Sequence, residues 1–182
     1  MWWFLAGAAL VAAGVFARSR MFSFYGQMPN DYATGGGDIV LSDYLKGEME
    51  CHGVLYGPLG KVVSRFIADM RISWEGKKGR LDELFTYDSG NTQTRIWDME
   101  LQDGGRLTAT ASDFEGTAIG RISGSTIQLK YRFRLPDESG GHVLNVVDWM
   151  YLLEDGTLVN RSQFRKFGIK VAELVATIRP KP

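Results

Sequence analysis

From Cys51 to the C-terminus, apolar and polar residues alternate with a period of two, broken at short intervals by glycine-bearing turns. The clearest run is STIQLKYRFRL, where Ile127, Leu129, Tyr131, Phe133 and Leu135 alternate with Thr126, Gln128, Lys130, Arg132 and Arg134. VVSRFIADMRISW sets Val62, Phe66, Ala68, Met70, Ile72 and Trp74 on one side. The same spacing predicts strands near 80–87, 91–102, 105–113, 116–123, 141–153, 157–166 and 168–179. Between them, Asp88-Ser89-Gly90, Asp103-Gly104-Gly105, Gly124-Ser125 and Asp155-Gly156 supply residues tolerant of positive φ. Consecutive antiparallel strands with one apolar face each must cover that face, and closing on themselves also hides their edges. The pattern therefore predicts an all-β fold, an up-and-down antiparallel barrel of the lipocalin/calycin-like kind over residues 38–182, with a two-sheet sandwich as the alternative. DIVLSDYLKG is the one helical candidate beside it, with Ile39, Leu41 and Leu45 set to lie across a barrel mouth.

The turns also fix register. A three-residue loop at Asp88-Ser89-Gly90 sets Glu83 opposite Arg95, and the loop at Asp103-Gly104-Gly105 sets Leu101 opposite Leu107 and Arg95 opposite Asp113. Glu83, Arg95 and Asp113 then form a row on the face that carries Leu81, Phe85, Trp97, Met99 and Leu107. A one-residue slip would turn Arg95 outward. The row has two readings: a satisfied buried ion network that fixes register, or a polar anchor for the head of an apolar ligand, such as a carboxylate meeting Arg95 bidentately. Candidate ligand-binding residues are Arg95, Glu83, Asp113, Trp97, Tyr131 and Phe133. The same inner face mixes bulky rings with small residues (Ala109, Ala111, Gly116, Ala118, Gly120) that would leave room on one side. Further along, a two-residue turn at Asp155-Gly156 sets Leu153 opposite Leu158 and Tyr151 opposite Asn160, with Asp148 diagonal to Arg161 as a structural ion pair.

The N-terminus obeys another pattern. Residues Trp2 to Ala17 are apolar and uncharged, and Arg18 and Arg20 follow. As a helix this run is roughly 24 Å long at ~1.5 Å per residue, short of the ~30 Å hydrocarbon core but able to cross by thinning and snorkelling. It lacks the basic n-region and cleavage site of a signal peptide. The expectation is a single-pass anchor in the bacterial inner membrane over 1–20, with a cleaved signal segment as the alternative and the domain on the cytoplasmic or the periplasmic side. A linker follows over 21–37, where Pro29 and Gly35 to Gly37 break regularity and Phe22, Phe24 and Tyr25 suit a membrane interface.

Composition removes several classes of function. Lys plus Arg and Asp plus Glu each number 21, so the net charge of zero provides no basic footprint for nucleic acid. One cysteine, Cys51, forbids an internal disulfide, and with only His52 and His142 beside it no zinc-ligand spacing exists. No metal and no cofactor are expected. His52 and His142 lack a visible partner for ligation, Cys51 lacks an activating base, and no Gly-x-Ser-x-Gly elbow is present. Arg95 between Glu83 and Asp113 would hold both carboxyls ionised and deprive a glycosidase-type pair of its general acid.

GKVVSRF, SDFEGTAIG, DWMYL and LVNRSQFRKFGI resemble, in order, segments of a proteobacterial lipocalin-like family of unknown function, over roughly Gly37 to Arg179. The resemblance implies a calycin-type barrel, a membrane tether (often a lipoprotein) and a setting beside enzymes that modify fatty acyl chains. It implies no catalytic residue, and this chain has no cysteine beside its apolar segment. The combined expectation is a membrane-anchored barrel that binds a hydrophobic small molecule, a fatty acyl or related lipid. The alternatives are an enzyme or accessory subunit in fatty-acyl modification using Glu83, Asp113 or Asp148, and an interaction module with a packed lumen. A binding protein is favoured over an enzyme.

Overall fold

Ten antiparallel strands close into one barrel in a computed structural model that describes residues 2–21, 23–33 and 39–181, with backbone alone at Ser19 and Arg20. The strands are β1 (Gly47–Tyr56), β2 (Val62–Glu75), β3 (Lys78–Tyr87), β4 (Thr92–Gln102), β5 (Arg106–Ala111), β6 (Ala118–Ser123), β7 (Thr126–Arg134), β8 (Val143–Leu152), β9 (Leu158–Lys166) and β10 (Ile169–Pro180). Each pairs with its neighbours in sequence, and β1 closes on β10 from Met49 opposite Pro180 to Tyr56 opposite Glu173. Closure leaves no free edge and excludes the sandwich. The alternation is legible in β2, where Phe66, Ala68, Met70 and Ile72 are buried between exposed Arg65, Ile67, Asp69 and Arg71. β1 is the strand that the sequence pattern marks least, because Gly47 and Glu48 at its start are both exposed.

One end of the barrel is shut. The single turn of helix α2 (Leu41–Tyr44) lays Ile39, Leu41 and Leu45 across it, all buried, as the sequence suggests. Leu45 is pinned through its carbonyl, which accepts from Trp74 Nε1 at 2.7 Å, and Ile39 N–H donates to the Gly124 carbonyl at 2.9 Å. The opposite mouth is formed by the loops after β1, β3, β5, β7 and β9. Half-exposed Leu55, Tyr87, Gln93 and Leu135 rim it, with exposed Pro136 and Ser139.

Two expectations about the N-terminus change. Helix α1 (Trp2–Met21) forms, but among the described residues no helix is long and apolar enough to cross a membrane, which overturns the single-pass anchor in the inner membrane. The apolar run spans only about four and a half turns before Arg18. Phe24 and Tyr25 pack on protein rather than facing a bilayer. Short 3₁₀ turns at Phe24–Gly26 and Pro29–Tyr32 strap the outside of β8 and β9: Arg161 lies over the Phe24 ring at 5.1 Å and Arg165 over Tyr25 at 4.1 Å. Gln27 Oε1 accepts from both Tyr32 Oη (2.5 Å) and Tyr151 Oη (2.7 Å), and the Tyr32 ring packs tilted on Trp149 and edgewise on Tyr151. Phe22 and Gly35 to Gly37 lie outside the described residues.

The β8–β9 register also differs from the expected one. Leu153 N–H donates to the Thr157 carbonyl at 2.8 Å, which closes a three-residue loop with Gly156 at φ 83°. Leu152, not Leu153, therefore faces Leu158, and Met150 faces Asn160. With the extra loop residue, Asp148, Asn160 and Ser162 share the lumen face, and Trp149 and Arg161 share the outer one. The Asp148–Arg161 ion pair does not form. Arg161 instead pairs with Glu173 on β10 at 2.6 Å, and the strap covers Trp149 completely.

Candidate functional site

Inside the barrel lies a cavity of about 400 Å³, within the range of small-molecule sites. Aliphatic and aromatic side chains line most of it, from Leu41, Met70 and Ile178 at the shut end to Phe133, Phe164 and Leu174 toward the mouth. The small residues on β5 and β6 do not supply all of this room. Leu107 lies so close over Gly120 that a Cβ there would stand 2.9 Å from it, and Gly116 sits at φ 80° in the β5–β6 connection rather than on the wall.

The loop chemistry of β3–β5 puts a charge in this lumen. Asp88-Ser89-Gly90 closes with Tyr87 N–H on the Asn91 carbonyl and Gly90 at φ 85°, and Glu83 stands opposite Arg95. Leu101 stands opposite Leu107 across the next loop, which carries Asp113 to Arg95. Arg95 Nε donates to Asp113 Oδ2 at 2.8 Å, and its Nη1 lies 3.9 Å from Glu83 Oε2. Trp97 Nε1 donates to the same Glu83 oxygen at 2.7 Å. The guanidinium also sits 5.2–5.4 Å from the Phe133 and Phe85 ring centres and 6.0 Å from Trp97, where the ring faces favour a cation. Trp97, Phe114 and Tyr131 form an aromatic wall beside it, with Phe114 stacked on Tyr131 at 4.3 Å. Of the candidate residues, Glu83, Arg95, Trp97, Tyr131 and Phe133 line the cavity, and Asp113 braces Arg95.

A second polar group reaches the lumen: Asp148, which the sequence offers as an ion-pair partner of Arg161 or as an acid–base group. The corrected register places Asp148 on the cavity wall, 6% exposed, opposite Ser162. The Tyr131 and Ser162 hydroxyls serve its carboxylate. Ser162 has one proton for two acceptors, since it also donates to Asn160 Oδ1 at 2.9 Å. Asp148 Oδ1 has no hydrogen-bond partner, nor has Asp113 Oδ1. The signal for this cluster was present in Asn160-x-Ser162 on a strand, polar residues at inner spacing, but only the loop length decides which face they take.

Burial governs the protonation of these groups. It pushes Asp148 up to about 6, against the hydroxyl donors and Arg95 that pull it down. Burial likewise raises Glu83, a desolvation that outweighs the pull of Arg95 and the Trp97 N–H. Arg95 itself is opposed by burial yet held above its ordinary value by Glu83 and Asp113. Burial raises the Tyr131 phenol well above normal and pushes the Cys51 thiol, also on the cavity wall, up to about 12. Among the described residues no group of three His, Cys, Asp or Glu is arranged to hold a metal ion.

Residues 19–180 match the model of a family described as a protein of unknown function, DUF3833. No curated protein matches the chain in sequence. Among solved structures, the S-type phycobiliprotein lyase CPES from Guillardia theta is similar with a TM-score of 0.56 at 6% identity, over 78% of this chain and 91% of that one. Rv2717c from M. tuberculosis is similar with a TM-score of 0.55 at 12% identity, over 76% and 94%. At these identities the likeness is one of barrel fold.

Proposed function

We propose that this chain, which belongs to the DUF3833 family of proteins of unknown function, holds a small and largely apolar molecule in its barrel lumen. The observation that carries this reading is the cavity itself: about 400 Å³, shut by α2 at one end, rimmed by partly exposed residues at the other. A ten-strand barrel kept solely for its own stability would fill that space with side chains. An acyl chain or a similarly slim lipid suits the apolar wall, with its polar end at the Glu83–Arg95–Asp148 level. These three, with Trp97, Tyr131 and Phe133, are the ligand-facing residues of the proposal, and Asp113 fixes Arg95.

A second reading is an accessory or lyase-like role, in which the barrel presents its ligand and also moves a proton. It is favoured by Asp148, a cavity-wall carboxyl pushed up to about 6 and therefore able to give or take a proton near neutrality. The similarity to a lyase barrel is compatible with this role and adds only the fold.

The test uses the full chain. Native mass spectrometry before and after organic extraction looks for a co-purifying molecule, and titration with the neutral fluorophore N-phenyl-1-naphthylamine looks for a site in the lumen. One probe per chain is expected, lost in Ala172→Trp, which puts an indole at the half-buried mouth without crowding the core. A chain that carries no molecule and binds no probe, while circular dichroism shows it folded, overturns the proposal.

A further inference from the structure

We infer that the lumen selects a ligand whose polar end donates a hydrogen bond (an alcohol, an amide or a protonated amine) and discriminates against a free carboxylate, with the Asp148 carboxylate as the acceptor. The inference rests on the lumen being a binding site and specifies the chemistry of what it takes.

Four observations converge on it. Three carboxyls, Glu83, Asp113 and Asp148, share a single guanidinium, Arg95. Arg95 already has a carboxylate on Nε and another 3.9 Å from Nη1, so a ligand carboxylate would bring a further negative charge into a cluster that is in excess of it. Glu83 has the Trp97 N–H and Asp113 has the Arg95 Nε–H, but Asp148 depends on Tyr131 and on a Ser162 proton that Asn160 also claims. Asp148 lines the cavity, and its Oδ1 is buried with nothing donating to it, a costly arrangement that a donor on the ligand would relieve once the carboxyl turns toward the lumen. The groups that face Asp148 are Tyr131 from β7, Ser162 from β9, and Arg95 and Glu83 at longer range from β4 and β3. Its protonation state is thus set within the lumen.

The preference has a direction in pH. Asp148 accepts best when ionised, so binding of a protonated amine weakens as pH falls through about 6, whereas binding of the neutral fluorophore changes little.

The experiment is a displacement series on the full chain, with N-phenyl-1-naphthylamine as reporter and four probes of one tail length: decanol, decanamide, decylamine and decanoate. At about pH 8, decanol, decanamide and decylamine are expected to bind about tenfold tighter than decanoate, roughly the worth of one hydrogen bond to a charged acceptor. Asp148→Asn is expected to erase the preference for decylamine while the reporter still binds. Ser162→Ala, which takes away a competing donor, is expected to retain or sharpen the preference and does not depend on the first variant folding. Decanoate binding as tightly as decanol in the wild-type chain overturns the inference, as does an Asp148→Asn ranking identical to wild type. A chain that binds neither reporter nor any probe defeats the lumen reading itself, which distinguishes the two failures.

Discussion

Arg95→Met keeps the length of the side chain and removes its charge, and the structure gives the consequence a size. Arg95, Glu83 and Asp113 are only 15%, 10% and 19% exposed, among the rings of Phe85, Trp97 and Phe133. Without the guanidinium, Asp113 loses the donor on Oδ2 and has none on Oδ1, while Glu83 retains only the Trp97 N–H. Removing one partner of a buried pair costs about 3–5 kcal/mol because the other charge stays behind. For a chain of this size each kcal/mol lowers Tm by about 2–4 °C, so the expected loss is about 6–20 °C.

The companion is the triple variant Arg95→Met, Glu83→Gln, Asp113→Asn, which removes both orphaned charges and is expected to regain most of that loss. Thermal melts followed by circular dichroism, with urea titrations beside them, read both. The sign with pH is fixed as well. Carboxyls left unpaired have folded pKa values above their unfolded ones, so the folded state binds more protons and the deficit shrinks as pH falls through the raised values. A single variant within ~1 kcal/mol of wild type at about pH 8, the level of an exposed pair, would falsify the network argument. So would a triple variant no more stable than the single one.

Other perturbations probe separate parts of the lumen. Asp148 is folded at about 6 against 3.8 for the free group; the folded state holds the extra proton between those values, so stability falls as pH rises from about 4 to 6. The span corresponds to about 3 kcal/mol, and Asp148→Asn is expected to flatten that slope in urea titrations across pH; an unchanged slope refutes the assignment. Gly53 lies opposite Phe66, and a Cβ there would stand 2.2 Å from the ring, so Gly53→Ala is expected to lose about 1–3 kcal/mol by overpacking in a chemical melt. Cys51, pushed up to about 12, is expected to resist a thiol reagent at about pH 8 in the folded chain and to react fully in denaturant; fast labelling of the folded chain contradicts its burial.

The barrel was legible because it rests on local rules that agree: period-two alternation, positive-φ glycines at the loops, and consecutive pairing. The Glu83–Arg95–Asp113 row was legible for the same reason, since two loop lengths carry the register across three strands. The identical reasoning failed at Asp155-Gly156, where the pair fits both a two-residue turn and the end of a three-residue loop. The loop adopted there, Glu154-Asp155-Gly156, closes like Asp88-Ser89-Gly90, with Gly156 at φ 83° and Gly90 at φ 85°. One residue of loop reversed the faces of β9 relative to β8, and so set Asp148 and Arg161 on opposite sides of the sheet. Hydropathy did not arbitrate, because both faces are apolar: the inner one meets the lumen and the outer one is covered by Phe24 to Tyr32. The empty space was not legible either. Small residues mark where a wall can be thin, but whether a neighbour fills the notch depends on its rotamer, as Leu107 does over Gly120 and Phe66 over Gly53.

Satisfaction of polar groups separates the two charged clusters in the lumen. Arg95 makes a short ion pair, a second at longer range and three ring contacts, and its removal is expected to be felt chiefly as lost stability. Asp148 is the reverse: more buried, short of donors, and raised toward neutrality by a desolvation that its neighbours do not offset. A group that serves only the fold gains from being satisfied within it, whereas a group that must meet a ligand has to remain available. In the proposed reading the Arg95 row holds β3, β4 and β5 in register and sets the sign of the lumen's charge, and Asp148 is where that charge would meet a ligand. If the Arg95→Met chain, destabilised but still folded at low temperature, bound decanol normally while Asp148→Asn did not, the division of labour would be demonstrated in the two variants directly.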